Sequence, residues 1–120
     1  MQTAQAPLHL STGCEAVLPV VEDTMYVIGG KWKLRIIIAL SDGKRRFNEL
    51  QRMVKGISAR VLSNELKDLE LNGFVKRMVD ASTAPVSVEY ERTAYADSLR
   101  DVIVALHQWG STHRHKIMQR

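Results

Sequence analysis

In the stretch GISARVLSNELKDLELNG, residues 56 to 73, four side chains with hydrogen-bonding ends, Arg60, Ser63, Asn64 and Lys67, are spaced three and four apart. At about 100° per residue they fall on one side of a helix, opposite Leu62, Leu66 and Leu69. The acids Glu65, Asp68 and Glu70 are left to the flanks or the buried edge. A solvated helix face ordinarily mixes acids with bases; this one presents guanidinium, hydroxyl, amide and ammonium groups with no carboxylate among them. Those groups suit a nucleic acid. Arginine bonds guanine bidentately, asparagine does the same to adenine, serine serves either base, and a lysine one turn further along suits phosphate.

Other chemistry finds little support. The chain has no nucleophile-elbow pattern and no phosphate-loop lysine motif, and Gly29-Gly30 lacks the strand and third glycine of a dinucleotide site. His113 and His115 stand about 200° apart on a helix and His107 lies on another face again, so the three do not gather around a metal. We expect no enzyme, no metal and no cofactor. The single cysteine, Cys14, excludes an intrachain disulfide and is the one candidate redox-sensing thiol.

The basic stripe needs elements to hold it. Ser58 is a good N-cap for the quoted helix, Ile57 and Leu62 can staple its entry, and Gly73 supplies a stop. Upstream, RRFNELQRMVKG spaces Phe47, Leu50 and Val54 for a short helix closed by Gly56, so two helices meet across a link of a few residues, a helix-turn-helix. Its first helix is preceded by Lys44, Arg45 and Arg46, placed to hold a phosphate together with the helix N-terminus. Downstream, FVKRMV and VSVEY alternate apolar and polar residues around the turn-rich DASTAP, which predicts a two-stranded hairpin. A hairpin directly after a helix-turn-helix is a wing. Ser82 and Thr83 at its tip, and Arg77 on the strand leading there, join Lys44, Arg45, Arg46, Ser58, Arg60, Ser63, Asn64 and Lys67 as candidate DNA contacts.

Two further helical patterns precede this unit and one follows it. EAVLPVVEDTMYVIGG sets Val17, Val21, Met25 and Ile28 on one face, with Pro19 in the first turn, and KWKLRIIIALSDG gives a deeply buried second helix. At the other end Tyr95, Leu99, Val102, Leu106, Trp109 and His113 are spaced 4, 3, 4, 3, 4, a seam pattern. Such a stripe packs either on the chain's own core or on a second copy. We adopt the second copy, with Val17, Val21, Met25, Leu99, Val102, Leu106 and Trp109 as the interface, because a winged helix has little room to bury so long a row.

Bulk properties agree with this reading. The length of 120 residues suits one domain, and 45% hydrophobic with 25% charged residues describes a folded chain. The net charge of +4 is unevenly spread: residues 31–77 hold twelve Lys/Arg against five Asp/Glu, and the remainder five bases against eight acids. A basic middle implies a polyanion as partner. No apolar run approaches the roughly 20 residues of a membrane span, and MQTAQAPLHLSTG does not resemble a leader, so a cytoplasmic protein with no membrane partner is expected.

Several joined motifs, IGGKWKLRIIIAL, GKRRFNELQR, GISARVLSNELKDLELNGFVKR and VSVEYERT, resemble the HxlR-type transcription regulators, a MarR-like branch of the winged helices, over about residues 20 to 110. The resemblance implies a mainly α fold with a small β-hairpin, organised as one domain over 1–120: helix-turn-helix and wing over about 31–92, dimerisation helices over about 15–28 and 93–117. It also implies a homodimer binding a double-stranded operator of two half-sites, with a small-molecule effector unidentified. Many such regulators carry a cysteine at the start of helix one, where this chain has Pro19 and, upstream of it, Cys14. The competing reading is a winged helix used only for protein contacts; an RNA-binding variant lacks the aromatic stacking surface that single-strand readers use.

Overall fold

The computed structural model describes residues 13–119; residues 1–12 and 120, which the single-domain expectation includes, lie outside them. The elements are α1 (Cys14–Ile28), α2 (Lys33–Ala39), β1 (Arg45–Arg46), α3 (Phe47–Met53), α4 (Ala59–Leu71), β2 (Val75–Asp80), β3 (Ser87–Arg92), a 3-10 turn (Tyr95–Leu99) and α5 (Arg100–Met118). The chain divides into two compact units at Gly30.

In the first unit α1 starts at Cys14 with Gly13 as N-cap, whose carbonyl accepts from the Ala16 and Val17 amides at 3.0 and 3.1 Å. Two expectations change as a result. Pro19 stands beyond the first turn, where its ring removes one intrahelical donor. Cys14, read from sequence as lying upstream of the helix, is its first residue, and its side chain is exposed. Leu18, Val20, Val21, Met25 and Tyr26 are all exposed as well.

In the second unit α2, α3 and α4 form a helical layer against a three-stranded antiparallel sheet of order β1-β3-β2. The leucine side of α4 is in the core, with Leu62, Leu66 and Leu69 at 1% exposure or less, and Ile36, Leu40 and Leu50 are equally enclosed. Sequence spacing predicts this core because each helix carries its apolar residues on one stripe. Ile38 on α2, read as part of the buried surface, instead remains 49% exposed.

Both ends of α4 are fixed locally. The Ser58 hydroxyl accepts from the Val61 amide at 3.1 Å, while at the other end Gly73 adopts φ +82°. There the Phe74 amide reaches the Leu69 carbonyl (2.9 Å) and the Gly73 amide reaches the Glu70 carbonyl (3.1 Å). This is the Schellman arrangement, which a side chain at position 73 would strain. Gly56, at φ +89°, reverses the chain between α3 and α4.

The sheet and the last helix depart from the sequence reading. Residues 45 and 46, read only as a basic stretch preceding α3, form a third strand opposite Tyr90 and Glu89. The C-terminal pattern, read as one helix from about residue 93, opens as a 3-10 turn because the Thr93 carbonyl and hydroxyl both accept from the Ala96 amide, at 3.1 and 3.3 Å. Leu99 closes that turn and is only 8% exposed within its own chain. Unlike Leu99, no residue of α5 itself is buried, and Val102, Val104, Leu106 and Trp109 stand out from its surface.

Candidate nucleic-acid interface

The outward face of α4 carries Arg60, Asn64 and Lys67 exposed, with Ser63 half-buried beside them. Exposure of these side chains follows from burial of the three leucines, since 3.6 residues per turn place the two sets on opposite sides. Ser58 is exposed too, but its oxygen is already engaged as the helix cap, so its first role is structural.

Two of the three acids of α4, Glu65 and Asp68, are engaged by a residue that sequence spacing did not single out, while Glu70 is exposed. Lys33 Nζ on α2 lies 2.5 Å from Glu65 Oε1 and 3.6 Å from Asp68 Oδ2. The Lys33 and Glu65 side chains retain only 15% and 18% of their exposure. The hydrogen bond to Glu65 holds the Lys33 ammonium above its usual pKa against the opposing effect of burial, and the Glu65 and Asp68 charges add to the upward shift. A clue lay in the sequence, in two acids spaced i and i+3 on a helix side that packs inward and therefore needs a counter-charge. Its partner, 32 residues away, could not be chosen without the fold.

The basic triplet before α3 does not act as one cluster. Lying on β1, Arg45 and Arg46 project to opposite faces of the sheet. Arg46 is exposed, and its amide donates to Glu49 Oε1 at 2.9 Å, capping α3. Arg45 is half-buried, with an Nε that finds no hydrogen-bond partner among the described residues, and Lys44 Nζ sits 3.6 Å from Glu89 Oε1. Of the three, Arg46 alone is both exposed and without a carboxylate partner among the described residues.

The wing tip is organised around Asp80. Ser82 donates to Asp80 Oδ1 through its hydroxyl and its amide, at 2.5 and 3.0 Å, and these bonds hold the Asp80 carboxyl below its usual pKa. Thr83 Oγ1 lies within bonding reach of the carbonyls of Asp80 and Pro85 and accepts from the Ser87 amide. The two hydroxyls expected to meet DNA thus shape the turn around a carboxylate. Arg77, nearer the base of the wing, is exposed.

Two more groups lie beside the site: Trp32, which the sequence spacing sets on the apolar face of α2, and Arg92, which the sequence reading does not single out. Trp32 has Lys31 Nζ 4.8 Å and the Arg35 guanidinium 5.3 Å from its ring centroid, within cation–π range. Its outer edge lies beside Gly56 at the turn between α3 and α4. Arg92, the last residue of the wing, donates to the carbonyls of Leu40 and Ser41 and to Asp97 Oδ1.

A helix-turn-helix with a sheet-borne wing and an acid-free outer face on its second helix defines a winged helix of the MarR-like kind. The HxlR-like helix-turn-helix family model matches residues 27–118, and the chain belongs to that family. It is 39% identical over 97 residues to YtcD, an uncharacterised HTH-type transcriptional regulator of Bacillus subtilis strain 168, covering 81% of this chain and 76% of that one. The reduced form of the redox regulator HypR superposes with a TM-score of 0.76 at 37% identity, over 84% of this chain and 99% of that one. A regulator assigned to the MarR family from Enterococcus faecalis V583 gives 0.72 at 31% identity, over 93% and 98%. The chain is therefore a helix-turn-helix transcriptional regulator. No described helix is long and apolar enough to cross a membrane.

Proposed function

We propose that the protein is a sequence-specific regulator that binds double-stranded DNA as a homodimer, each protomer setting α4 into the major groove of one half-site. The observation that carries this reading is the outer face of α4, where Arg60 and Asn64 stand exposed near the helix N-terminus and Lys67 one turn behind them. A recognition helix reads base edges from its N-terminal residues. Ser63 belongs to the same set. Arg46 and Arg77 take phosphates, and Lys44 and Arg45 contribute charge from less accessible positions. Ser58, Ser82 and Thr83 can approach the duplex only while keeping the internal bonds that shape their turns.

Dimerisation is supported by the apolar row on α5, Val102, Leu106 and Trp109, which is left exposed by the described residues of its own unit. Val17, Val21 and Met25 on α1 extend the proposed interface, and Leu99 leaves it for its own core. Together with helix-turn-helix and wing, these helices would make residues 1–120 one functional domain working in the cytoplasm.

Titration against duplex DNA, single strands and RNA at several salt concentrations tests the reading. We expect duplex to bind most tightly, with a log–log salt slope equivalent to roughly five to ten phosphates. Affinity that barely responds to salt, or no preference for duplex, would favour a winged helix that contacts only proteins.

A further inference from the structure

Helix α4 presents an acid-free stripe, yet as a whole it is not basic: Arg60 and Lys67 are outnumbered by Glu65, Asp68 and Glu70. Two of those acids sit on the flank facing α2. Asp68 keeps 57% of its side-chain exposure, and a helix in a groove has phosphates along both sides. At ordinary ionic strength charges within about 8–10 Å of one another still interact. An uncompensated carboxylate on that flank would oppose docking.

Given the DNA-binding reading proposed above, we propose that Lys33 is a positioning residue for DNA recognition, holding Glu65 inward and neutralising Asp68 so that α4 can enter the groove. Its ammonium bridges both carboxylates from a neighbouring helix, with Glu65 drawn into the partly buried space between them. A lysine is suited to the task because its three donors can serve two acceptors at once. Lys33 is itself only 15% exposed, so it is a poor candidate for direct phosphate contact. It acts through Glu65 and Asp68.

The location has a second consequence for specificity. Exposed acids on a reading helix can accept from the cytosine amino group. With Glu65 bonded to Lys33, that option is closed for one of the two acids, and base reading is left to the basic and neutral stripe.

The test uses the full chain and duplex DNA, with thermal unfolding followed alongside binding. Lys33→Gln should weaken duplex binding about tenfold near 0.1 M salt, equivalent to one lost counterion-releasing contact, and the deficit should shrink as salt rises. Adding Glu65→Gln and Asp68→Asn to that variant should bring affinity back to within about threefold of the parent, and Lys33→Arg should retain most of it. An electrostatic role requires this recovery, whereas loss of fold alone would not be reversed by removing two acids. Should Lys33→Gln fail to fold, Glu65→Gln in the otherwise unchanged chain gives the answer: it should tighten duplex binding several-fold. Unchanged or weaker binding by Glu65→Gln overturns the proposal, as does a folded Lys33→Gln chain that binds like the parent, or a triple variant with no recovery. A parent chain that does not bind duplex at all would instead sink the DNA-binding reading on which the inference rests.

Discussion

Arg92 Nη1 lies 2.7 Å from the carbonyl oxygen of Ser41, fastening the end of the wing to the end of α2. The same nitrogen is 3.3 Å from the Leu40 carbonyl, and Arg92 Nε donates to Asp97 Oδ1 at 2.8 Å. One guanidinium thus joins a helix C-terminus, the final strand and the 3-10 turn. A cation at a helix C-terminus also meets the negative end of its dipole.

Removing this junction should be felt in stability before binding. Arg92→Ala removes three hydrogen bonds, two of them exposed and one part-buried, and is expected to lower unfolding free energy by about 1–3 kcal/mol. Urea unfolding measures it. A shift of the midpoint too small to resolve would mean that water replaces all three bonds without loss.

Base reading and phosphate attraction can be separated on α4. Arg60→Ala should cost about 1–3 kcal/mol on an operator and relax preference at one position in each half-site. Lys67→Ala and Arg46→Ala should weaken operator and scrambled duplex alike and lower the salt slope by about one each. If Arg60→Ala reduced both affinities by the same factor, its contribution would be electrostatic and reading would pass to Ser63 and Asn64.

The exposed row on α5 makes a sharp prediction about assembly. Leu106→Asp places a carboxylate in the proposed seam, where desolvation without a partner costs several kcal/mol, while in a lone chain the position is 52% exposed and tolerant. Sedimentation should show monomer with undiminished helix content. A dimer as tight as the parent's would place the interface elsewhere.

The Lys33 ion pair sets a pH signature. A group whose folded pKa is raised stabilises the fold fully below its unfolded pKa, and that contribution is lost as pH rises through the folded value. Lys33 is raised from 10.5. The stability gap between the parent and Lys33→Gln should therefore be constant from pH 7 to about 10 and close above 10.5. A gap that closed near neutrality would implicate another titrating group.

Cys14 is the only thiol in the chain, and it is exposed. Any change in DNA binding caused by a thiol-specific oxidant such as diamide must therefore disappear in Cys14→Ser, whose untreated binding should equal the parent's. Electrophoretic mobility shift with both proteins, treated and untreated, reads this directly; an oxidant response that survives in the serine variant excludes the thiol.

What the sequence disclosed and what it hid divide along physical lines. Helix α4 was legible from end to end because its cap at Ser58, its leucine stripe and its glycine stop at Gly73 all act within a few residues. Strand β1 was hidden because two residues carry no period, and Arg45 and Arg46 become a strand only through distant pairing with Tyr90 and Glu89. The break before α5 escaped because Leu99 satisfies the seam spacing as well as the residues after it do; only the bonds at Thr93 separate them. At the wing tip, Ser82 and Thr83 had the right chemistry for phosphate but also the right chemistry for a turn around Asp80, and proximity favoured the turn. The partnership of Lys33 with Glu65 depended on the packing of α2 against α4.

The stop at Gly73 also limits how much information the protein can extract from a duplex. Because α4 ends there and its free face runs only from Arg60 to Lys67, the reading surface is about 10 Å long. At about 3.4 Å per base pair, one helix can interrogate roughly three positions, and the two helices of the proposed homodimer roughly six. A six-letter word recurs about once in four thousand, far too often among the 10⁶–10⁹ competing sites of a genome. For the proposed homodimer the remaining discrimination would then reside in the nucleic acid itself, in the stiffness and groove width of the base pairs between and beside the two words.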